Sequence, residues 1–164
     1  MKTFRNIILL IFVLTCVSFS VQASFSEIKD GHIQFPYEIG VSNGIVYSFS
    51  EEQYAYGLHV YFIKKFGISK KLGIGAGYEA IFDGHSHNTV CVLLHYTPFK
   101  HISVNVAPGL VFLESEPDKS RFALHTEILY EFHIGVFNIG PSIGAAFNPD
   151  DFHTSVGVHL AVGF

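Results

Sequence analysis

The sequence is defined first by what it has little of. It contains no tryptophan, two cysteines and few charged residues, which make up 15% of its 164 positions. A net charge of −4 and the lack of a basic cluster argue against nucleic-acid binding. Outside an N-terminal apolar run that contains Cys16, the chain holds a single cysteine, Cys91, and cannot form an internal disulfide. No later apolar stretch is long enough for a membrane helix, so the rest of the chain is either soluble or a β-barrel.

The N-terminus has the features of a secretory signal peptide. Lys2 and Arg5 precede an apolar run from Ile7 to Val21, and Val21-Gln22-Ala23 fits a small-residue cleavage site. The run is short for a spanning helix, which makes an anchoring helix the less favoured alternative. We therefore predict a cleaved signal peptide, a polar periplasmic tail and a folded β domain, at residues 1–23, 24–34 and 35–164.

Apolar residues alternate with small or polar ones through the β domain. In the last thirteen residues, FHTSVGVHLAVGF, every second side chain from Val156 to Phe164 is apolar. This period of two is typical of strands with two unlike faces. Asn43-Gly44 is a hairpin signal, but the alternation keeps its phase across it and favours one long strand. Turn-like residues separate eight segments, at 35–49, 54–64, 72–82, 88–97, 102–113, 121–132, 136–147 and 152–164.

The charges decide which face of the strands points outward. The apolar face is continuous through all eight segments and carries no charge except Lys64 at a strand end. The other face holds the carboxylates and histidines, with many Gly, Ala and Ser residues that suit a narrow interior. Each segment is long enough to span a bilayer, since a tilted spanning strand needs about 9–11 residues. The sequence therefore predicts an all-β, eight-stranded antiparallel transmembrane up-and-down β-barrel, whose closure leaves no strand edge in lipid.

This pattern and the terminal Phe164 resemble the small eight-stranded outer-membrane barrels of Gram-negative bacteria. The resemblance covers the whole mature chain. It implies an integral outer-membrane protein in contact with lipid and lipopolysaccharide. In that family the insertion machinery reads the last strand and its terminal aromatic residue, which is Phe164 here. We also expect a monomer that needs no cofactor.

An even strand count and a periplasmic N-terminus fix the predicted topology. Connections at 65–71, 98–101 and 133–135 are then periplasmic, and those at 50–53, 83–87, 114–120 and 148–151 lie outside. The outer connections are acidic, whereas the lysines cluster near the periplasmic ones. This separation of charge was not needed to place the strands and supports the topology independently.

The inward face predicts a polar network in the lumen. We favour internal hydrogen bonding, because an eight-stranded barrel fills its interior with side chains. A metal site or a proton-linked relay is the alternative, since histidine and carboxylate are good ligands. Register places His95 opposite Asn105. Glu127 and Glu131 have no obvious Lys or Arg partner, so histidinium or protonation must compensate. The predicted members are Glu38, His59, Glu79, His95, Asn105, His125, Glu127, Glu131 and His159.

Other histidines are weaker candidates for chemistry. His85, His87 and His153 lie in or beside the outer loops and are possible surface metal ligands. The sequence His153-Thr154-Ser155 resembles the His-x-Ser of outer-membrane lipid A deacylases, but Val156 replaces that family's Asn and no carboxylate follows Ser155. We predict no catalytic residue, and a structural or lipopolysaccharide-interaction role for a barrel with a filled lumen. The alternatives are binding or passage of a small solute or metal ion, and lipid A hydrolysis.

Overall fold

The computed structural model describes residues 27–29, 32–83, 87–113, 116–149 and 151–164. The predicted signal peptide and His85 lie outside the described residues. In the predicted tail, β1 (Glu27–Lys29) and β2 (His32–Gln34) pair as a short antiparallel ladder. Within the described residues, no helix is long and apolar enough to cross a membrane.

Eight long strands close into an antiparallel barrel. Each long strand pairs with the next along the chain, and the last pairs with both the seventh and the first, which closes the sheet. The predicted all-β, eight-stranded antiparallel up-and-down barrel is confirmed for the described residues. A short ninth strand extends the sixth long strand and pairs with the seventh. The strands are β3 (Tyr37–Ser48), β4 (Gln53–Phe66), β5 (Leu72–Phe82), β6 (His87–Phe99), β7 (Ile102–Leu113), β8 (Glu116–Tyr130), β9 (Phe132–Ile134), β10 (Phe137–Phe147) and β11 (Phe152–Gly163).

The first long strand runs without interruption through Asn43-Gly44, as the phase of the alternation predicted. Gly44 lies between Gly157 of β11 and Gly57 of β4 in the ladder. A Cβ atom at Gly44 would lie only 2.3 Å from the carbonyl oxygen of Val156. This glycine therefore permits a close approach of two strand backbones and does not form a turn.

Several predicted connections have the wrong bounds, and two of them differ most from the structure. The segment 114–120 was expected to be a loop, but β8 begins at Glu116 and pairs with Leu113 after a register shift. The segment 133–135 was expected to be a turn, but β9 occupies its first part and the turn falls at Gly135 and Val136, with φ of 63° at Gly135. Charged residues marked 116–120 as a loop, yet backbone pairing can continue through polar residues at the end of a barrel hairpin.

The two faces of the barrel differ as predicted. Outward apolar side chains such as Val90, Ile128 and Val156 are exposed, whereas inward neighbours such as Ile63 and Leu93 are fully buried. In water, so large an apolar surface would be exceptional, but hydrocarbon lipid solvates it. The exterior is therefore built for a membrane.

Aromatic clusters mark both ends of the barrel. We call the end where β4 passes to β5, β6 to β7 and β9 to β10 the lower rim, and the opposite end the upper rim. At the lower rim, the Tyr37 ring stacks 5.8 Å from that of Phe164, and the two residues also exchange backbone hydrogen bonds of 3.0 Å. At the upper rim, the Tyr47 ring lies 5.0 Å from Phe49 and 4.9 Å from Tyr54. Such paired girdles suit the two membrane interfaces.

Candidate functional site

The structure places all nine predicted lumen residues inside the barrel. Each side chain is at least nine-tenths buried, from His159, which is fully buried, to His125 at 8% exposure. They alternate along their strands with the exposed apolar residues, which is why the inward phase could be read from the sequence. The set is Glu38, His59, Glu79, His95, Asn105, His125, Glu127, Glu131 and His159.

Five rings form a column along the lumen, which we call the ring column. From the lower to the upper rim, successive ring centroids are separated by 5.8, 5.7, 5.7 and 6.4 Å. The sequence placed Tyr61 on the inward face but did not identify it as a member of the polar network. The rings belong to His159, Tyr61, His59, His125 and His153.

Each histidine of the ring column has a carboxylate beside it. Such pairing reduces the free-energy cost of holding either charge away from water. None of the four distances is short enough to be a strong charge-assisted hydrogen bond. The pairs are His159 Nε2 with Glu131 Oε1 at 3.6 Å, His59 Nδ1 with Glu127 Oε2 at 4.0 Å, His125 Nδ1 with Glu79 Oε2 at 3.3 Å, and His153 Nδ1 with Asp151 Oδ2 at 3.4 Å.

Lys65 is a lumen residue that the sequence analysis missed. It was expected in the turn at 65–71, but β4 continues to Phe66, and Lys65 Nζ donates to Glu38 Oε2 at 2.8 Å. Asn138 Nδ2 donates to the same oxygen at 2.8 Å, and the Tyr61 hydroxyl donates to Glu38 Oε1 at 3.2 Å. Extending the alternation two residues past Ile63 would have placed Lys64 outside and Lys65 inside.

Glu131 is held at one oxygen only. The Ser103 hydroxyl donates to Oε2 at 2.9 Å, whereas Oε1 is buried and makes no hydrogen bond with any residue that the structure describes. Glu38, Glu131 and His159 each offer one potential ligand atom, and these three atoms lie within 4.8 Å of one another. The three side chains come from distant parts of the sequence and meet only because the barrel is closed.

A second polar chain runs beside the ring column. His95 pairs with Asn105 in the ladder, as predicted, and His95 Nδ1 lies 2.9 Å from Asn105 Oδ1. Asn105 Nδ2 donates to Glu127 Oε2 at 3.5 Å. On its other side, His95 Nε2 lies 3.0 Å from the Thr97 hydroxyl, which is 3.1 Å from that of Ser103. The hydrogen bonds therefore connect Glu127 to the Ser103 partner of Glu131.

Apolar side chains close the lower half of the lumen. Ile63, Leu93 and Leu129 are fully buried, and Tyr61 packs with the first two. Above them the lumen widens into a vestibule of about 540 Å³, which includes space open to solvent. Glu79 and His125 are among its lining residues. The vestibule lies at the upper rim, and buried side chains occupy the lumen below it in the part of the barrel that the structure describes.

Asp151 ties two upper connections together. Its carboxylate accepts hydrogen bonds from the Ser48 hydroxyl at 2.9 Å and from the Ser50 N–H at 3.1 Å. Burial raises the pKa of Asp151, but these hydrogen bonds outweigh it and leave the pKa below its ordinary value. The weak metal candidate His153 lies beside this carboxylate, and His87 contacts Asp83 through Nδ1.

No family model matches the sequence, and no curated protein shows a significant match. Two solved structures are similar to the whole barrel. A de novo designed transmembrane β-barrel has a TM-score of 0.56 at 13% identity, over 79% of this chain and 98% of that one. Neisserial surface protein A (NspA) has a TM-score of 0.54 at 6% identity, over 78% of this chain and 96% of that one.

The fold is that of a small transmembrane β-barrel. At such low identities the similarity concerns the fold alone and assigns no role to the side chains of the lumen.

Proposed function

We propose that this protein is an integral outer-membrane barrel with a structural or envelope-interaction role, and that its lumen does not conduct solutes. The proposal rests chiefly on the filled lumen, in which Ile63, Leu93 and Leu129 are fully buried below the vestibule. A transport pore of this size would need a continuous aqueous path, whereas eight-stranded barrels have room only for packed side chains.

The location and orientation in this proposal are supported by charge and by the N-terminal sequence. Lysines 70, 71 and 100 belong to the lower connections, and the exposed Glu51 and Glu52 belong to an upper one. A lower rim in the periplasm would agree with a signal peptide at residues 1–23 and a short periplasmic tail. The terminal Phe164 lies at the same rim, where the insertion machinery would read it.

The envelope role proposed here is contact with lipopolysaccharide at the upper rim. Divalent cations could bridge the acidic residues of this rim to lipid phosphates, as carboxylates and phosphates both bind such cations. Purified protein in vesicles that contain lipopolysaccharide should then be stabilised by Mg²⁺, and a chelator should reverse the effect. Vesicles of neutral phospholipid are the control, because there Mg²⁺ has no lipid phosphate cluster to bridge.

Planar-bilayer recording tests the closed lumen. The folded protein, verified by its heat-modifiable migration on gels, should give no stepwise current. A Leu93→Gly and Leu129→Gly double variant should give small steps, because it removes two fully buried side chains of the apolar layer. Stable current steps from the unmodified protein would refute the non-conducting role.

A further inference from the structure

We propose that Glu38, Glu131 and His159 bind one divalent transition-metal cation, such as Zn²⁺ or Co²⁺, inside the barrel. The three potential ligand atoms lie within 4.8 Å of one another, and all three residues are at most 1% exposed. Ligands around Zn²⁺ lie about 2.0–2.2 Å from the metal. In a tetrahedral site such bonds place the ligand atoms about 3.4 Å apart, so the three atoms would move toward one another when a cation binds. This inference does not depend on the envelope role.

The unpartnered oxygen of Glu131 points to a missing ligand. Glu131 is 1% exposed, and its Oε1 atom is buried without a hydrogen bond among the described residues. The nearest imidazole nitrogen, His159 Nε2, is 3.6 Å away, which is too long for a hydrogen bond. An unsatisfied buried carboxylate oxygen is destabilising. A bound cation would give this oxygen a partner.

Hydrogen bonds already orient both carboxylates of the site. Glu38 Oε2 accepts from Lys65 and Asn138, both at 2.8 Å, and Glu131 Oε2 accepts from Ser103 at 2.9 Å. Metal ligands are commonly fixed by such second contacts, which set the direction of the free atom. The contacts hold the carboxylates in place whether or not a cation is bound.

The His159 ring is fixed by Tyr61. The two rings stack with centroids 5.8 Å apart and an interplanar angle of 3°. The Tyr61 hydroxyl lies 3.3 Å from His159 and 3.2 Å from Glu38 Oε1, so a third oxygen lies at the edge of the site. One imidazole with two or three oxygens is a donor set that suits zinc and cobalt better than a purely hard cation.

Charge balance favours a cation in this position. Lys65 offsets one of the two carboxylates, so the site has an excess negative charge when His159 is neutral. The rival arrangement is a protonated His159 that neutralises Glu131 without any metal. The two arrangements differ in whether the folded protein takes up a metal ion, which can be measured directly.

Titration of the tag-free, folded protein with Co²⁺ in detergent tests the proposal. One equivalent should bind and produce visible ligand-field bands, and Zn²⁺ should displace it. Glu131→Gln and His159→Asn should each weaken binding at least about tenfold. Glu79→Gln is the matched control, because it alters a buried carboxylate that lies beside the ring column but outside the site. This variant should bind Co²⁺ as the unmodified protein does.

Binding that survives Glu131→Gln but is lost in His153→Asn would place the metal at the upper rim and overturn the proposal. Failure of the unmodified protein to bind Co²⁺ or Zn²⁺ would overturn it as well. If the variants do not fold, X-ray absorption on the zinc-loaded unmodified protein decides. One imidazole with oxygen ligands is expected, and two or more imidazoles would refute the assignment.

Discussion

Removing the Lys65 charge should destabilise the barrel much more than removing the charge next to it. In Lys65→Met the Glu38 carboxylate, whose side chain is 2% exposed, loses its ion pair of 2.8 Å. Breaking a buried ion pair on one side costs about 3–5 kcal/mol. Lys65 is 13% exposed at the lower rim, and Asn138 still donates to Glu38. We therefore expect about 3 kcal/mol, at the lower end of this range.

Lys64→Met is the matched control. Lys64 is the preceding residue of β4, but it points outward, with its Nζ atom 5.8 Å from the centre of the Tyr37 ring. An exposed contact of this kind contributes about 0.5–1 kcal/mol. Both variants remove one positive charge from the same rim, so the difference between them isolates the buried pair.

Urea unfolding in lipid vesicles measures these free energies of unfolding. The folded fraction at each urea concentration is read from its heat-modifiable migration on gels. A Lys65→Met and Glu38→Gln double variant should recover much of the loss, because the carboxylate charge that Lys65 balances is then removed as well. A stabilising role of the Lys65–Glu38 pair is contradicted if Lys65→Met is no more destabilising than Lys64→Met. It is also contradicted if the double variant is less stable than the sum of the single changes predicts.

Three further predictions concern other parts of the barrel. Gly44→Ala should lower the unfolding free energy by about 1–3 kcal/mol, because its Cβ would lie 2.3 Å from the Val156 carbonyl oxygen; an unchanged urea midpoint would contradict this. Asp151 has a lowered pKa, so it should contribute stability above pH about 4 and lose it as the pH falls through its folded pKa. The stability difference between the unmodified protein and Asp151→Asn should therefore shrink in acid, and a difference independent of pH would argue against it. Phe164→Ala should reduce assembly in cells more than refolding in vitro, because the ring contacts it removes, to Tyr37 at 5.8 Å and to Phe62 at 6.4 Å, lie at the end of the last strand; equal losses in membrane-fraction blots and refolding yields would oppose a signal role.

The alternation in the sequence was sufficient to predict the architecture. The strands Leu72–Phe82 and Ile102–Leu113 begin and end at the predicted residues, and all nine predicted lumen residues are buried. Two periodic faces determine which side chains point inward, since a shift of one residue would move every apolar side chain to the wrong face. That constraint is strong enough to be seen without any tertiary information.

The ends of the strands could not be predicted as well. Lys65 was predicted to begin a turn, yet β4 continues to Phe66 and Lys65 enters the lumen. Glu116 resembles part of a loop, yet β8 begins there. Polar residues are tolerated in a strand once it leaves the hydrocarbon region, so composition alone cannot show where pairing stops.

The grouping of Glu38, Glu131 and His159 was also beyond the sequence. Each was predicted to face inward, but their mutual distance depends on the stagger of the strands around the closed barrel. Glu131 lies between β8 and β9, and its neighbours in the site belong to β3 and β11. Alternation shows whether a side chain faces the lumen or the exterior. It does not show which inward side chains of different strands lie at the same level along the barrel axis.

The pairing of β11 with β3 has a consequence for how the protein assembles. It joins residues such as His153 and Ser48, which are more than one hundred positions apart, so the seam forms between the first and last long strands of the barrel. Contacts this distant in sequence slow folding. The contact of His159 with Tyr61 spans 98 positions, and the hydrogen bond from Asn138 to Glu38 spans 100. A sheet that has not closed therefore lacks these contacts. The polar interior is completed only in the closed barrel, so its contacts favour closure.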